Sequence, residues 1–379
     1  MSTERRPSAD PFGAPAAAAT TPGGEIGAGA PDPANLVCPA PIPERARVLL
    51  GHGSGGQLSA ALMRDVIGPA LAEAAPGGPL NDAAVVEVAG QRLAFTTDSF
   101  VVSPIEFPGG DIGELAVNGT VNDLAMMGAQ PLALSLAYVI EEGLPIEDLR
   151  RVTESVARAA GRAGVRVVTG DTKVVGRGAA DGLFVNTAGI GLVAPGVSVG
   201  AERAAVGDAV ILSGPIGLHG IAIMSVREGL DFEVEVVSDT QPLNGLVAAI
   251  VAACPGVHVL RDPTRGGLAS ALNEIAAASA RGIELREETL PIPGPVRAAC
   301  EMLGLDPLHV ANEGKLVAIV PAADAAAVLA AMRAVTEGAD AVEIGRVVAD
   351  HPSMVTMRTI VGSQRIVDMM VGEQLPRIC

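Results

Sequence analysis

The order in which strand-like and helix-like segments follow one another constrains this chain more than any other feature. From Arg47 onward, β-branched runs and amphipathic stretches succeed each other without strict alternation. A doubly wound parallel sheet needs a helix between successive strands, so this order predicts an α+β fold instead. The pattern comes in two blocks of similar size, 47–205 and 206–350, which points to a duplicated or paired two-domain architecture. A chain of 379 residues is long enough to give each block its own core. A last segment, 351–379, carries a candidate hairpin between Ser353 and Met370 and then a tail.

Within the first block, Ala83 to Val88 and Arg92 to Thr97 read as a hairpin joined at Gly90. Asp111 to Gly128 reads as a helix stopped by Gly128 and Pro131. Leu132 to Ile140, Val165 to Val168 and Leu183 to Leu192 are expected strands, and Pro145 to Ala163 an amphipathic helix. In the second block the expected strands are Ala209 to Leu212, His258 to Leu260, Leu316 to Val320 and Glu343 to Val348, with helices between them. Residues 1–46 are rich in Ala, Pro and Gly without hydrophobic periodicity, the signature of a disordered extension.

No stretch approaches the roughly 20 apolar residues of a membrane span. Arg5 and Arg6 have no apolar core behind them, so no secretory signal is expected. Cys38, Cys254, Cys300 and Cys379 have neither metal-ligand nor disulfide spacing, and Cys254 and Cys300 lie in apolar helical patterns. A cytoplasmic protein is the expectation. A net charge of −17 argues against nucleic acid as a partner, and one Tyr with no Trp removes the stacking platforms that single strands need.

Carboxylates recur at the ends of predicted strands, at Asp82, Asp98, Asp171 and Asp262, and Asp123 joins them from a helix. Hard cations take oxygen ligands, and Mg²⁺ is commonly held by one or two carboxylates plus nucleotide phosphates. Asn118 and Asn122 fall on one helix face, and buried amides there need either a ligand or neighbouring backbone as partner. Asp262-Pro263-Thr264-Arg265-Gly266-Gly267 turns from a strand into a helix whose free N–H groups, with Arg265, suit an anion. The glycine-rich stretch at His52 is either a loop closing over phosphates or a plain surface turn. Only two lysines occur, Lys173 and Lys315, both in motif-like segments; an amine offers a tunable pKa that a guanidinium does not.

The chain stops on Cys379. An extended tail gains about 3.3 Å per residue, so a thiol carried from Gly372 sweeps roughly 25 Å, enough to leave one pocket for another.

Taken together, His52-Gly53-Ser54-Gly55-Gly56, Asn81-Asp82-Ala83-Ala84, Thr97-Asp98-Ser99, Val121-Asn122-Asp123, Gly170-Asp171-Thr172-Lys173, Asp262 to Gly267, Asn312-Glu313-Gly314 and Pro376-Arg377-Ile378-Cys379 resemble an ATP-dependent superfamily. Its members include aminoimidazole ribonucleotide synthetase, selenophosphate synthetase and thiamine-monophosphate kinase. Within it, the chain is similar to the carbamoyl dehydratases of [NiFe]-hydrogenase maturation. The resemblance implies a homodimer with ATP near the interface of its N-terminal domains. It implies Mg²⁺ on Asp82, Asp123 and Asp262, with Asp98, Asn122, Asp171, Thr172, Arg265, Gly266 and Gly267 around the nucleotide. It also implies a carbamoyltransferase that loads Cys379 and an iron–cyanide scaffold complex that receives the product. Lys173 and Glu313 are the candidates for moving protons. The thiol is expected to be ordinary, pushed up by its own carboxylate and down by Arg377. A selenophosphate synthetase would carry Cys or selenocysteine in the glycine-rich loop, where this chain has His52 and Ser54. A non-enzymatic thiol carrier would have no use for the aspartates.

Overall fold

The computed structural model describes residues 47–74, 80–229, 235–372 and 378–379. The extension expected over 1–46, with Cys38, and the tail residues Pro376 and Arg377 lie outside the described residues.

A turn at Leu50–Gly53 leads into α1 (Gln57–Leu62), a π-helical turn (Met63–Ile67) and α2 (Gly68–Leu71). Next come β1 (Ala84–Val88) and β2 (Gln91–Phe100), joined through Ala89 and Gly90, both at positive φ. The small ribbon β3 (Glu106–Phe107) and β4 (Gly110–Asp111) precedes α3 (Ile112–Met126). Then follow β5 (Ala129–Glu141), α4 (Ile146–Ala163), β6 (Arg166–Val175) and β7 (Leu183–Val193). The sheet order is β1-β2-β7-β5-β6. All neighbours are antiparallel except β5 and β6, whose connection through α4 is the crossover that a parallel pair requires.

The second half contains β8 (Ala209–Leu212), α5 (Leu218–Glu228), α6 (Asn244–Ala253), β9 (Val259–Arg261), α7 (Gly267–Ser279) and β10 (Gly282–Arg286). It continues with α8 (Gly294–Leu303), β11 (Val317–Val320), α9 (Ala325–Arg333), β12 (Val342–Val348), β13 (Val355–Arg358) and β14 (Gln364–Val367). The sheet order is β14-β13-β10-β12-β8-β11-β9, and β13 with β14 forms the expected terminal hairpin. Strand β10 is not among the expected elements, and helix α8 is signalled only by the apolar helical pattern around Cys300. The first alternates Ile and Leu with charges over only five residues, and the second opens with Gly294-Pro295, which reads as a break although Pro is tolerated in a first helical turn.

Helix α3 positions the site. Asp111 caps it by accepting from the N–H groups of Gly113 and Glu114, at 2.8 and 3.0 Å. Ile112, Leu115, Val117, Val121 and Leu124 are fully buried, and so are Asn118 and Thr120. A helix buried on every side belongs between layers. It lies on the inner face of the first sheet and also touches α4, α6 and β9.

The sheet's two faces differ. Along β2, Ala94, Thr96 and Phe100 point inward and Phe95 and Ser99 outward. On the outer face Val86, Val88, Phe95 and Ile190 remain exposed. Strand pairing places Ser99, Asn186, Ala137 and Asp171 in one outward row and Asp98, Thr187, Leu136 and Gly170 in an inward one. Asp98 and Asp171, expected at strand ends, therefore sit inside β2 and β6 and on opposite faces. Thr-rich sequence keeps both strands extended past the carboxylate. Among the described residues, no helix is long and apolar enough to cross a membrane.

Candidate functional site

Three carboxylates converge from three directions. Asp82 precedes β1, Asp123 lies on α3, and Asp262 follows β9. Their oxygens all lie within 4.8 Å of one another. Thr96, on the inner face of β2, donates to Asp123 Oδ2 at 2.8 Å and to the Asp82 carbonyl at 3.1 Å. Arg261 reaches Asp82 Oδ1 at 3.0 Å and also pairs with Glu274.

Burial pushes Asp82 up to about 6 and Asp262 up to about 8, against the ordinary 3.8. Asp123 is raised well above its usual range, first by burial and then by Asp262, Asp82 and Asp98. Arg261 pairs with Asp82, yet the three buried carboxylates outnumber it. An all-oxygen donor set of this density fits a hard divalent cation, and a single added charge would reverse all three shifts together.

Beside the cluster, Asp98 is raised by burial and held back by Arg265. Glu313 is buried and raised well above its usual range by burial, then by Asp262, Asp98 and Asp239. Its Oε1 has no protein partner although it is buried. Arg265 faces this acidic wall, and the charges that hold its proton are Cys379 first, then Asp98, Glu313 and Asp123.

The last residues complete the pocket. Ile378 is 4% exposed, and Cys379 is half-buried against the same apolar cluster. The thiol is pushed up by burial, opposed by Arg265 and reinforced by Glu313, Asp98 and Asp262. The expectation of an ordinary thiol is corrected: its surroundings are acidic and dry. The tail, expected as a swinging arm, has its end seated.

Asp82, Asp98, Asp123, Asp262, Arg265, Glu313 and Cys379 thus come together, while other expected residues do not. The Asn122 amide donates to the carbonyls of Gln241 (3.1 Å) and Glu313 (3.4 Å), and its oxygen accepts from Leu243 N–H at 2.7 Å. Backbone groups of the second half are its partners here, so Asn122 ties α3 to that half. Gly267 N–H, expected to be free for an anion, donates to the Thr264 carbonyl at 2.9 Å. Gly266 and Gly267 are required for another reason. Both have positive φ (74° and 62°), and a Cβ on Gly267 would lie 2.5 Å from the Leu308 carbonyl. The glycine-rich loop packs on this turn, since a Cβ on Gly55 would come 2.7 Å from the Arg265 carbonyl. Asp171 and Lys173 form an exposed ion pair (2.7 Å) on the outer sheet face, away from the cluster, and Thr172 follows the alternation of β6 between them.

Sequence reasoning missed Thr96 and Arg261. Arg261 directly precedes Asp262, and Thr96 shares the alternation parity of Asp98. Those were the available signals.

The chain matches the AIR synthase related protein N-terminal domain over residues 80–193 and the C-terminal domain over residues 205–357. The fold and the acidic cluster thereby define a protein of the AIR synthase class. A relative from Azotobacter vinelandii named carbamoyl dehydratase HypE is 53% identical over 328 residues, covering 86% of this chain and 96% of the relative. A crystal structure of the hydrogenase maturation protein HypE in complex with ATP superposes with a TM-score of 0.74 at 46% identity, covering 88% of this chain and 100% of the other. A HypE–HypF complex gives 0.76 at 47% identity, covering 81% and 100%. The chain belongs to the carbamoyl dehydratase HypE family.

Proposed function

We propose that the protein is an ATP-dependent carbamoyl dehydratase that makes the cyanide ligand of [NiFe]-hydrogenases. The observation that carries this reading is the seating of Ile378 and Cys379 against the apolar cluster, with the thiol within the electrostatic influence of Arg265, Glu313 and Asp262 of the three-aspartate cluster. A carbamoyl group on that sulfur places an amide inside a charged pocket.

An amide oxygen leaves poorly. Transfer of the γ-phosphoryl group of ATP to that oxygen makes it part of a good leaving group. Loss of the two N–H protons and cleavage of the C–O bond then release inorganic phosphate and leave a thiocyanate on sulfur, with ADP as the other product. The oxygen departs in phosphate, so the substrate loses one water overall and no redox step occurs.

Glu313 is suited to proton transfer, because its environment keeps the neutral acid within reach and Oε1 has no other partner. Arg265 is suited to holding phosphate or the activated oxygen. Asp82, Asp123 and Asp262 would hold Mg²⁺, which when bound neutralises phosphate charge. Asp98 lies at the edge of that site.

Asp171 and Lys173 face outward, in the same sheet surface as exposed Phe95 and Ile190. In this reading that surface pairs with a second copy, whose Asp171 and Lys173 reach the nucleotide. A homodimer is therefore part of the proposal. The partner that loads the thiol is a carbamoyltransferase, supported by the solved complex of a relative with HypF, and the acceptor of cyanide is an iron-bearing scaffold complex.

The test is the intact mass of the protein after incubation with its carbamoyl-donating partner, with and without ATP, beside Cys379→Ala. A carbamoyl adduct that loses one water only with ATP, and is absent from the variant, is expected. An adduct unchanged by ATP would reduce the protein to a carrier.

A further inference from the structure

The end of the chain is gripped through its backbone and through the Ile378 side chain. His219 lies in the first turn of α5 and is fully buried. Its Nε2 is 2.9 Å from the Ile378 carbonyl oxygen, and its Nδ1 is 2.8 Å from Ser238 Oγ. A carbonyl only accepts, so Nε2 carries the proton and Nδ1 accepts from the Ser238 hydroxyl. Ser238 Oγ in turn accepts from Thr240 N–H at 3.1 Å, which fixes the orientation of the whole relay. Burial lowers the pKa of the ring, consistent with this neutral form. Phe107 stands edge-on to the imidazole, with ring centroids 5.4 Å apart, and stops it from turning.

Two further holds act on the same pair of residues. Val101 N–H donates to an oxygen of the Cys379 terminal carboxylate at 3.2 Å. The Ile378 side chain enters an apolar cluster with Phe100, Val102, Phe107 and Ile112. Backbone and an isoleucine side chain are the same whether the sulfur carries hydrogen, a carbamoyl group or a cyano group.

We propose that His219 is a positioning residue, the latch that seats the tail: with Val101 N–H and the Ile378 pocket it sets how much of the time Cys379 is docked, regardless of its cargo. Removing the donor leaves the Ile378 carbonyl buried without a partner in the docked state, which weakens docking by about tenfold. The dehydratase reading enters only through the consequence for turnover; the grip itself is independent of it.

The experiment measures the rate of Cys379 alkylation by iodoacetamide on the full-length protein, read from the mass of the terminal peptide after proteolysis. His219→Phe is expected to raise the rate about tenfold, and Ile378→Ala, which empties the apolar pocket that holds the tail, should also raise it. His219→Gln, whose carboxamide N–H replaces the Nε2 donor, should restore slow alkylation. On carbamoylated protein, His219→Phe should slow single-turnover water loss while ATP affinity stays unchanged. Wild-type alkylation rates in both His219→Phe and Ile378→Ala would overturn the latch, and if His219→Phe fails to fold, Ile378→Ala decides alone. Alkylation requires neither ATP nor a carbamoyl donor, so failure of the dehydratase reading would leave this result standing.

Discussion

Gly314→Ala is expected to displace the segment Asp239 to Gln241 of the second half, on which both the placement of Glu313 and a contact with α3 depend. A Cβ on Gly314 would fall 1.7 Å from the Asp239 carbonyl oxygen and 2.8 Å from both its carbon and Gln241 Cγ. The first of these is backbone and has no rotamer to escape into, so the segment around Asp239 must retreat by more than about an ångström. That segment donates Gln241 Nε2 to the Gly314 carbonyl (2.8 Å), and Asp239 Oδ1 accepts from Glu313 N–H (3.1 Å). It also carries Thr240, which accepts from Asn118. Overpacking costs about 1–3 kcal/mol and each buried hydrogen bond about 1 kcal/mol, so the total is roughly 4 kcal/mol. With a urea slope of about 3 kcal/mol/M or more for a chain of this size, the unfolding midpoint should fall by about 1 M. ATP-dependent water loss should fall with it, because Glu313 moves. Gly245→Ala is the control: its Cβ meets nothing within 4 Å in helix α6, and it should stabilise by about 0.5–1 kcal/mol. A Gly314→Ala midpoint within about 0.2 M of wild type would refute the argument.

Three other outcomes are expected. Asp262 at about 8 and Asp82 at about 6 mean that the folded, metal-free protein keeps protons the unfolded chain has released, so stability falls as pH rises from about 4 toward 8. Melting temperatures at pH 6 and 8 should show this fall, and Mg²⁺ should flatten it; a rise with pH in the absence of metal would contradict the clustering. Phe95→Asp places a charge on the exposed apolar sheet face and should convert a dimer to monomer by sedimentation, with loss of turnover; an intact dimer would locate the pairing surface elsewhere. Lys173→Ala removes only an exposed ion pair, worth about 1 kcal/mol or less, so the unfolding midpoint should hold while dehydration falls at least tenfold. Unimpaired dehydration would remove Lys173 from the mechanism.

The local part of this architecture is legible in the sequence. Gly90 between two β-branched runs specifies a hairpin, and Asp111 and Gly128 bracket α3, because turn and cap preferences act over a few residues. What the chain order conceals is parity and approach. Asp98 and Asp171 look alike as carboxylates in strand sequence, yet pairing registers send them to opposite faces. Asn122 reads as a buried amide in need of a partner, and the Gln241 and Glu313 carbonyls that bond it arrive from the second half. Gly314 is required by a backbone atom of Asp239, which no local pattern encodes. The convergence of Asp82, Asp123 and Asp262 was inferred by resemblance, since their separations along the chain carry no spacing signal. Cys379 stood out as a lone thiol, but its chemistry depends on burial beside Glu313 and Arg265.

The opposed directions of Asp98 and Asp171 have a consequence for mixtures of chains. If each pocket combines the inner face of one copy with the outer face of another, two differently damaged proteins can repair each other. Chains carrying Asp82→Asn, mixed with chains carrying Lys173→Ala, would form pairs in which one pocket has both lesions and the other has neither. Activity would return to a mixture whose components are each inert, and it would fade again on dilution as the pairs came apart.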